Sequence, residues 1–430
     1  MKKYDLVVAG GGLAGVSAAI SAARDGLSVL LVEKSGSLGG ALSGGLVYPF
    51  CPYYTEENGV VTKVVNAGLF SEMIKRHNEK IIGHFPPAEP NICQADGDIR
   101  RFKTEYFKMV LDDMTLEYGV DILYHSMIYD VTYEDRKIKS IKASTKIGTL
   151  ELEADFFIDA TGDGEVFYLA GCDHLLGRDG DNLSQPMTTC FRVCNIDIPL
   201  YRKELPDLQR LYKEKRASGE ITNPRENILQ FYGLGEGIVH YNTTRIVMLD
   251  PTDPIELSRA EAEARRQIYE VVDFLKKNSK AYKDAVLVSV ASEIGVRESR
   301  KLRGEHIVTE DELFACTRFE DSIALGNYDV DIHSPDGTGT RIRKFDRDKY
   351  YTIPYRSLLP KEYDNLLVVG RCISTTHEAQ SSVRIMPICV SMGEAAGIAI
   401  AEAMRSSENT HTLDIKAVQN TLVKYGAEIY

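Results

Sequence analysis

The chain of 430 residues lacks several features that would have pointed its chemistry elsewhere. It has no tryptophan, which by itself decides nothing. Its eight cysteines are Cys51, Cys93, Cys172, Cys190, Cys194, Cys316, Cys372 and Cys389, and none forms a Cys-x-x-Cys pair, which argues against a dithiol relay. No Cys/His spacing suggests zinc, so no metal is expected. Most of these thiols read as small core residues. Cys190 and Cys194 lie in an alternating run that puts both side chains on one face of a strand. Positive charge is in short supply. Lys and Arg number 51 against 63 Asp and Glu, a net charge of −12, which argues against nucleic acid or an anionic membrane as main partner. No apolar run is long enough to span a bilayer, and Met1-Lys2-Lys3 leads directly into a strand, leaving no room for a signal peptide. A cytoplasmic protein is expected. There are no repeats and no low-complexity segments. The length exceeds one simple core, so two domains are expected.

What is present is concentrated in residues 5–33. An apolar run, Leu6 to Ala9, meets Gly10-Gly11-Gly12-Leu13-Ala14-Gly15, then an Ala-rich stretch, then Ser28-Val29-Leu30-Leu31-Val32-Glu33. This is strand, glycine turn, helix, strand and acidic cap, the dinucleotide fingerprint in its required context. Gly10 allows the tight turn, Gly12 lets backbone approach a pyrophosphate, and Gly15 lets the helix pack close to the sheet. The phosphates are expected at the helix N-terminus, around Leu13 and Ala14, where free N–H groups favour negative charge. Glu33 is placed to accept hydrogen bonds from an adenosine ribose. The bland alternative is an ordinary βαβ unit with a glycine-rich turn. The fingerprint does not choose between dinucleotides. Lys34-Ser35-Gly36-Ser37-Leu38-Gly39-Gly40-Ala41 follows, and a second glycine pair just past the acidic residue resembles FAD-binding flavoproteins of the glutathione-reductase-like fold. Lys34, Gly39, Gly40 and Ala41 are therefore candidate cofactor contacts.

Further along, residues 46–100 read as irregular, with a helix over about Asn66 to Glu79. An amphipathic helix is expected over Lys103 to Tyr118, burying Phe107, Val110, Leu111 and Met114 and ending at Gly119. A strand around Ile122–Tyr124 and a meander through Leu152, turned at Glu134-Asp135-Arg136, follow. A buried strand then runs into Asp159-Ala160-Thr161-Gly162-Asp163-Gly164, which gives Ala160, Thr161 and Gly162 as candidate contacts. The middle of the chain alternates as strands over Met187 to Val193 and Arg245 to Leu249. Ser258-Arg259-Ala260-Glu261 reads as a capping box opening a helix that buries Ile268, Val271, Val272 and Leu275. The first pattern returns at Leu366–Val369, with Gly370 and Arg371 in the turn after it. A further helix begins near Met386-Pro387, with Pro387 suited to the first helical position. Its small residues Gly393, Ala396, Gly397 and Ala399 permit close packing on a neighbour.

With four signatures in order, the chain resembles FAD-dependent oxidoreductases related to the succinate dehydrogenase and fumarate reductase flavoproteins. Gly177-Arg178, Gln185-Pro186-Met187-Thr188, Gly295 through Arg300, and Gly304-Glu305-His306 extend the likeness over nearly the whole chain. The resemblance implies an α/β protein with a Rossmann-like, ββα-type FAD-binding domain that is discontinuous, residues 1–174 plus 351–430. An inserted α+β capping or substrate domain then spans 175–350. Two departures stand out. Arg371 occupies the place of an acid that holds the ribityl chain in such relatives, so ribityl contacts are expected from backbone groups or Ser374. Ala41 and Leu42 stand where covalent-flavin relatives carry a histidine, so FAD is expected to be non-covalent, and Cys51 reads as a structural thiol rather than a flavin link.

The resemblance makes the expected function hydride transfer between flavin N5 and a small polar metabolite, with an unknown electron partner. Flavin does the redox chemistry and the protein supplies position and electrostatics. The N-terminus of the helix at Met386-Pro387 should face the pyrimidine end of the flavin, favouring its reduced, negative form. His377 lies in the loop that holds a substrate-binding histidine in fumarate-reductase relatives. It is either an acid–base group suited to neutral pH or a loop histidine bonded to backbone. Arg384 is either a carboxylate clamp or a structural ion-pair member. Arg297, Glu298 and Arg300 form a charged cluster that serves substrate or fastens the two domains. Alternatives to the dehydrogenase or reductase are a flavin monooxygenase and an RNA-modifying or electron-carrier flavoprotein. Gly233-Leu234-Gly235-Glu236-Gly237 lacks the dinucleotide spacing, so no separate NAD(P)H domain is expected.

Overall fold

The strand Tyr4–Ala9 is buried from Leu6 onward and pairs in parallel with Val29–Val32, in register from Leu6 with Val29 to Ala9 with Val32. Between them runs the helix Leu13–Arg24, ten of whose twelve residues are buried. A computed structural model describes residues 3–84 and 101–430 of the chain. Met1, Lys2, Cys93 and the end of the irregular stretch, residues 85–100, lie outside the described residues.

Five strands form the parallel part of the central sheet. Their order is Asp121–Leu123, Val29–Val32, Tyr4–Ala9, Gly148–Asp159 and Leu366–Val368. This is the doubly wound order, in which ligands sit at the carboxyl ends of the strands. The twelve-residue strand Gly148–Asp159 belongs to two environments. Its first half pairs antiparallel with Lys137–Thr145, and its second half pairs in parallel with Tyr4–Ala9. Its burial alternates in the first half and becomes continuous from Phe156, as expected where a one-faced sheet passes into one covered on both faces. Lys137–Thr145 pairs in turn with Met127–Glu134 across the expected turn, where Asp135 takes φ +52°.

The helix Met386–Ser406 packs along Leu13–Arg24. A Cβ on Gly393 would stand 2.0 Å from the Ala14 carbonyl oxygen, and one on Gly397 would stand 2.2 Å from that of Ala18. The stripe of small residues thus sets the separation of these two helices. This helix also corrects an expectation. By length and composition it is long and apolar enough to cross a membrane, although 94% of its apolar stretch is buried within the fold. Glu394 interrupts it and is itself buried. Its carboxylate accepts the Leu69 N–H at 3.0 Å and pairs with Arg24 at 3.3 Å. It therefore supplies an acceptor at the start of the helix Leu69–Ile81, whose flanking residue is Gly68 and cannot cap.

Residues 191–290 have a core of their own. Gln230–Phe231, Val239–Tyr241, Phe191–Cys194 and Val286–Val290 form an antiparallel sheet in that order. Two helices, Ile198–Ala217 and Pro254–Asn278, pack on it through Tyr201, Leu208, Tyr212, Ile268, Val271 and Leu275. Residues 308–353, by contrast, place Val308, Leu313, Ile323, Val330 and Ile353 in the apolar core that holds the first and last helices.

Several local expectations are corrected. The helix expected to open at Ser258 begins at Pro254, capped by Asp253, which accepts the Ile255 and Glu256 N–H groups. Asp before Pro is the stronger start signal, and the Ser258 hydroxyl instead donates back to the Pro254 carbonyl. Residues 54–64 are a hairpin, Tyr54–Glu57 with Val60–Val64, closed by Asn58 and Gly59, both at positive φ. Asn-Gly is the turn that two-residue hairpins favour. Met187 and Ile246 make a single bridge rather than two strands, because neighbouring backbone groups bond to side chains, Thr189 to Thr244 and Arg245 to Gln267. Pro387 is the second helical residue, after Met386. Cys190 is buried and Cys194 half-buried, and all seven described cysteines are free thiols.

Candidate active site

A cleft of about 1010 Å³ opens at the carboxyl ends of the parallel strands. At one end it is lined by the glycine turn. Gly10 has φ +99°, and a Cβ there would stand 2.5 Å from the Ala160 carbonyl oxygen. A Cβ on Gly15 would stand 1.9 Å from the Gly10 carbonyl oxygen, so helix and turn touch without room for a side chain. A Cβ on Gly12, by contrast, would meet no protein atom within 4 Å. Gly12 faces the cleft, and Leu13 and Ala14 line it beside the helix N-terminus. The cradle is thus open where a pyrophosphate needs space.

Glu33 lines the cleft beneath this turn. Its carboxylate accepts the Gly11 N–H at 2.6 Å and the Ser35 N–H at 2.7 Å. It pins the turn and still keeps lone pairs for a hydroxyl donor. Lys34, Gly39, Gly40 and Ala41 continue the wall, with the Gly39 N–H donating to the Gly11 carbonyl at 2.8 Å. Across from them stand Ala160, Thr161 and Gly162. That turn is held by the buried Asp159, which accepts from the Thr161 hydroxyl at 2.7 Å and the Phe167 N–H at 3.0 Å.

Gly370 and Arg371 close this side. Arg371 donates to the Gly162 carbonyl at 2.8 Å, to Asp163 at 2.6 Å and to the Val296 carbonyl. One guanidinium fork thereby joins the last strand, the Ala-Thr-Gly turn and the segment before Arg297. Asp163 itself lines the cleft. Ser374, expected as a ribityl contact, does not line it. Ser374 is fully buried, and its hydroxyl accepts the Gly304 N–H at 3.1 Å. The helix Met386–Ser406 arrives with Ile385, Met386 and Cys389 on the cleft wall and no side-chain cap over its N-terminus, which leaves donors at that end. Gly15 and Pro387 stand behind this wall rather than on it.

The other end of the cleft carries several charged groups among apolar ones and draws on residues the motifs did not mark. Tyr48, Phe50, Cys51, Arg225, Asn227, Tyr328, Asp331 and His333 join Arg297 and Arg384 there. Tyr328 donates to Asp331 at 3.2 Å, and His333 Nε2 lies 3.5 Å from the same carboxylate. Burial, then the charge of Arg297, pushes the His333 pKa down to about 3, so it rests neutral. Burial opposes ionisation of Asp331, but His333, Arg384 and Arg297 outweigh it and hold the carboxyl below its usual range. Among the described residues, Arg384 Nε is buried without a hydrogen-bond partner.

His377 is not on the cleft wall. It opens the short helix His377–Val383, and its Nδ1 lies 2.7 Å from Glu298. Glu298 is fully buried and also takes Lys301 and the Gln185 N–H at 3.0 Å. The expected cluster therefore divides. Arg297 reaches the cleft, Glu298 fastens His377, and Arg300 lies 3.9 Å above the Tyr168 ring. Among the described residues no group of three or more His, Cys, Asp or Glu side chains could hold a metal ion.

Sheet order, glycine cradle and acidic cap together define a dinucleotide-binding α/β enzyme. The chain belongs to the FAD dependent oxidoreductase family, which matches residues 5–422. FAD is its cofactor, and the residues described fit it. Among curated relatives, a digeranylgeranylglycerophospholipid reductase of Thermoplasma volcanium is 26% identical over 230 residues, 51% of this chain and 52% of that protein. The chain thus spans about half the length of the curated relative it matches. Among solved structures, a geranylgeranyl bacteriochlorophyll reductase-like protein of Thermoplasma acidophilum is 16% identical, with TM-score 0.48, covering 99% of this chain and 84% of that one. A myxobacterial FAD-dependent chondrochloren halogenase is 14% identical, with TM-score 0.47, covering 99% and 79%.

Proposed function

We propose that the protein moves hydride between FAD and a small polar metabolite held at the far end of the cleft. The observation that carries this reading is continuity. One cavity runs from the glycine cradle to a wall that mixes Arg225, Arg297, Asp331, His333 and Arg384 with apolar Leu229, Phe231 and Ile342. On this reading residues 1–174 and 351–430 bind the cofactor, residues 175–307 cover the substrate, and residues 308–350 pack into the cofactor unit's core while bringing Tyr328, Asp331 and His333 to the cleft.

When bound, FAD supplies the redox centre. The chain's own groups do the rest. Gly12, Leu13 and Ala14 receive the pyrophosphate, Glu33 orients a ribose, and Asp163 stands in for the acid absent at Arg371. The uncapped helix start at Met386 favours negative charge on the cofactor side. Arg384 orients substrate. Neutral His333 holds Asp331 in place and does not itself exchange a proton with substrate. Arg245 donates toward its Nδ1 at 3.1 Å, which leaves the ring proton on Nε2, toward Asp331. His377 is a positioning residue. Its helix also carries Gln380, whose amide donates to the Arg297 carbonyl at 2.7 Å.

The test is anaerobic titration of the holoprotein with single metabolites while the flavin's visible band is followed. Stoichiometric bleaching by one compound, or reoxidation of reduced protein by it, is the expected result. Turnover that requires dioxygen and places an oxygen atom from it in the product would overturn hydride transfer to substrate in favour of oxygenation.

A further inference from the structure

Beside the glycine cradle the wall opens into a second, smaller recess. Gly10, Glu33, Lys34 and Thr161 line both spaces, so a ligand whose ribose rests on Glu33 continues into the recess. Val32 and Ile128, both buried, give it apolar sides suited to a flat ring. Glu165 completes the lining. It is the first residue of the short helix Glu165–Leu169, just past the Ala-Thr-Gly turn.

Glu165 differs from the acids around it. Asp159 accepts from the Thr161 hydroxyl and the Phe167 N–H. Asp163 pairs with Arg371 at 2.6 Å and accepts the Ser299 hydroxyl at 2.7 Å. Glu33 is held by the Gly11 and Ser35 N–H groups. Glu165 Oε2, by contrast, is buried with no hydrogen-bond partner among the described residues. Lys34, the cation on the recess wall, lies 4.0 Å from Glu293 instead. Burial, then the charges of Asp163 and Asp159, push the Glu165 pKa up to about 7, against the pull of Thr161 and Lys34. At lower pH the group is a carboxylic acid, with one oxygen to accept and one O–H to donate.

Adenine carries the complementary pattern. Its exocyclic amino group donates and the ring nitrogen beside it accepts, the pair that an Asn or Gln amide reads on adenine in DNA. An ionised carboxylate has acceptors alone and leaves the ring nitrogen unsatisfied. We infer that Glu165, as a carboxylic acid, reads the adenine of FAD, accepting from its amino group and donating to the adjacent ring nitrogen. Flavin is then held less tightly as pH rises and Glu165 loses the proton it donates. The charged groups around it are Asp159 and Asp163 on its own segment and Glu33 and Lys34 across the recess, while Ser126, Met127 and Ile128 bring none. Cofactor selection of this kind holds whichever reaction the flavin performs.

The test follows flavin release from the FAD-bound full chain on dilution, read as recovery of free-flavin fluorescence, from pH 6 to pH 8.5. Wild type should bind FAD about tenfold more weakly at the upper end, since each pH unit above the pKa costs up to a factor of ten. Glu165→Gln keeps a donor and an acceptor, so it should hold FAD equally at both ends and more tightly than wild type at pH 8.5. Glu165→Leu should be about tenfold weaker than wild type at pH 6. An FAD analogue with unsubstituted purine in place of adenine lacks the amino donor. It should compete for wild type about fivefold less well than FAD at pH 6, and as well as FAD for Glu165→Leu. The competition on wild type tests the reading even where a variant fails to fold. Flat retention of FAD by wild type across the range, the same pH dependence persisting in Glu165→Gln, wild-type retention by Glu165→Leu at pH 6, or equal competition by the analogue for wild type would overturn the inference.

Discussion

Replacing Glu394 by Gln should make the protein more stable at pH 8 than at pH 5, relative to wild type. Burial raises the Glu394 pKa from its ordinary 4.5 to about 7, against the opposing pull of the Leu69 N–H and Arg24. The folded protein therefore holds a proton that the unfolded chain releases between these two values. Stability is lost as pH rises through that window, and the full cost is present above about pH 7. At about 1.4 kcal/mol per pH unit, a separation from 4.5 to about 7 is roughly 3 kcal/mol. Gln keeps the shape and can still accept the Leu69 N–H, but carries no charge to bury. With an unfolding entropy of about 2 cal/mol/K per residue, 3 kcal/mol is a shift of about 3–4 °C for a chain of this length. The measurement is the melting temperature of both proteins, FAD-bound, from pH 5 to pH 8 at one scan rate. The Gln variant should gain on wild type by that amount across the range. An unchanged difference, or one growing in wild type's favour at high pH, would show that Arg24 keeps Glu394 ionised throughout.

Gly12→Val should give folded protein without flavin, measured as loss of the visible band on purification, because the new side chain would enter the one open face of the cradle. Arg371→Lys should weaken FAD binding about tenfold on ultrafiltration, since an ammonium cannot span the Gly162, Asp163 and Val296 acceptors as one planar fork. His377→Ala should lower the melting temperature by leaving Glu298 with fewer partners, while turnover at a permissive temperature stays near wild type. A fall in turnover of about 10²–10⁴ with intact fold and bound FAD would return His377 to the chemistry.

The cofactor end of the cleft was legible because its signals are local. Gly10 and Gly12, Gly39–Gly40 and Ala160 to Gly162 each come from a few consecutive residues, and all line the cleft. The strand at Leu366 and the helix at Met386 followed from apolar runs in the same way. The polar end was not legible. Arg225, Asp331 and His333 come from a loop and a short strand, Val330–His333, and only tertiary folding brings them beside Arg384. His377 was misplaced for a related reason. Its position in the chain suggested the cleft, but its partner Glu298 lies in another segment and turns it inward. The helix start at Asp253 and the Asn58-Gly59 hairpin were different, since the residues that specify them were plain in the sequence.

The contact between Leu13–Arg24 and Met386–Ser406 joins segments about 370 residues apart. At synthesis rates of about 5–20 residues per second, the first helix waits roughly 20–70 s on the ribosome for the glycine-lined surface that covers it. During that interval the pyrophosphate turn is already made, but the wall carrying Gly370, Arg371 and Met386 is not. Flavin capture is thus a late event in the life of each chain. Chains released before the helix Met386–Ser406 have an exposed small-residue face and no route to the holoenzyme, which makes them natural clients for chaperones or proteases.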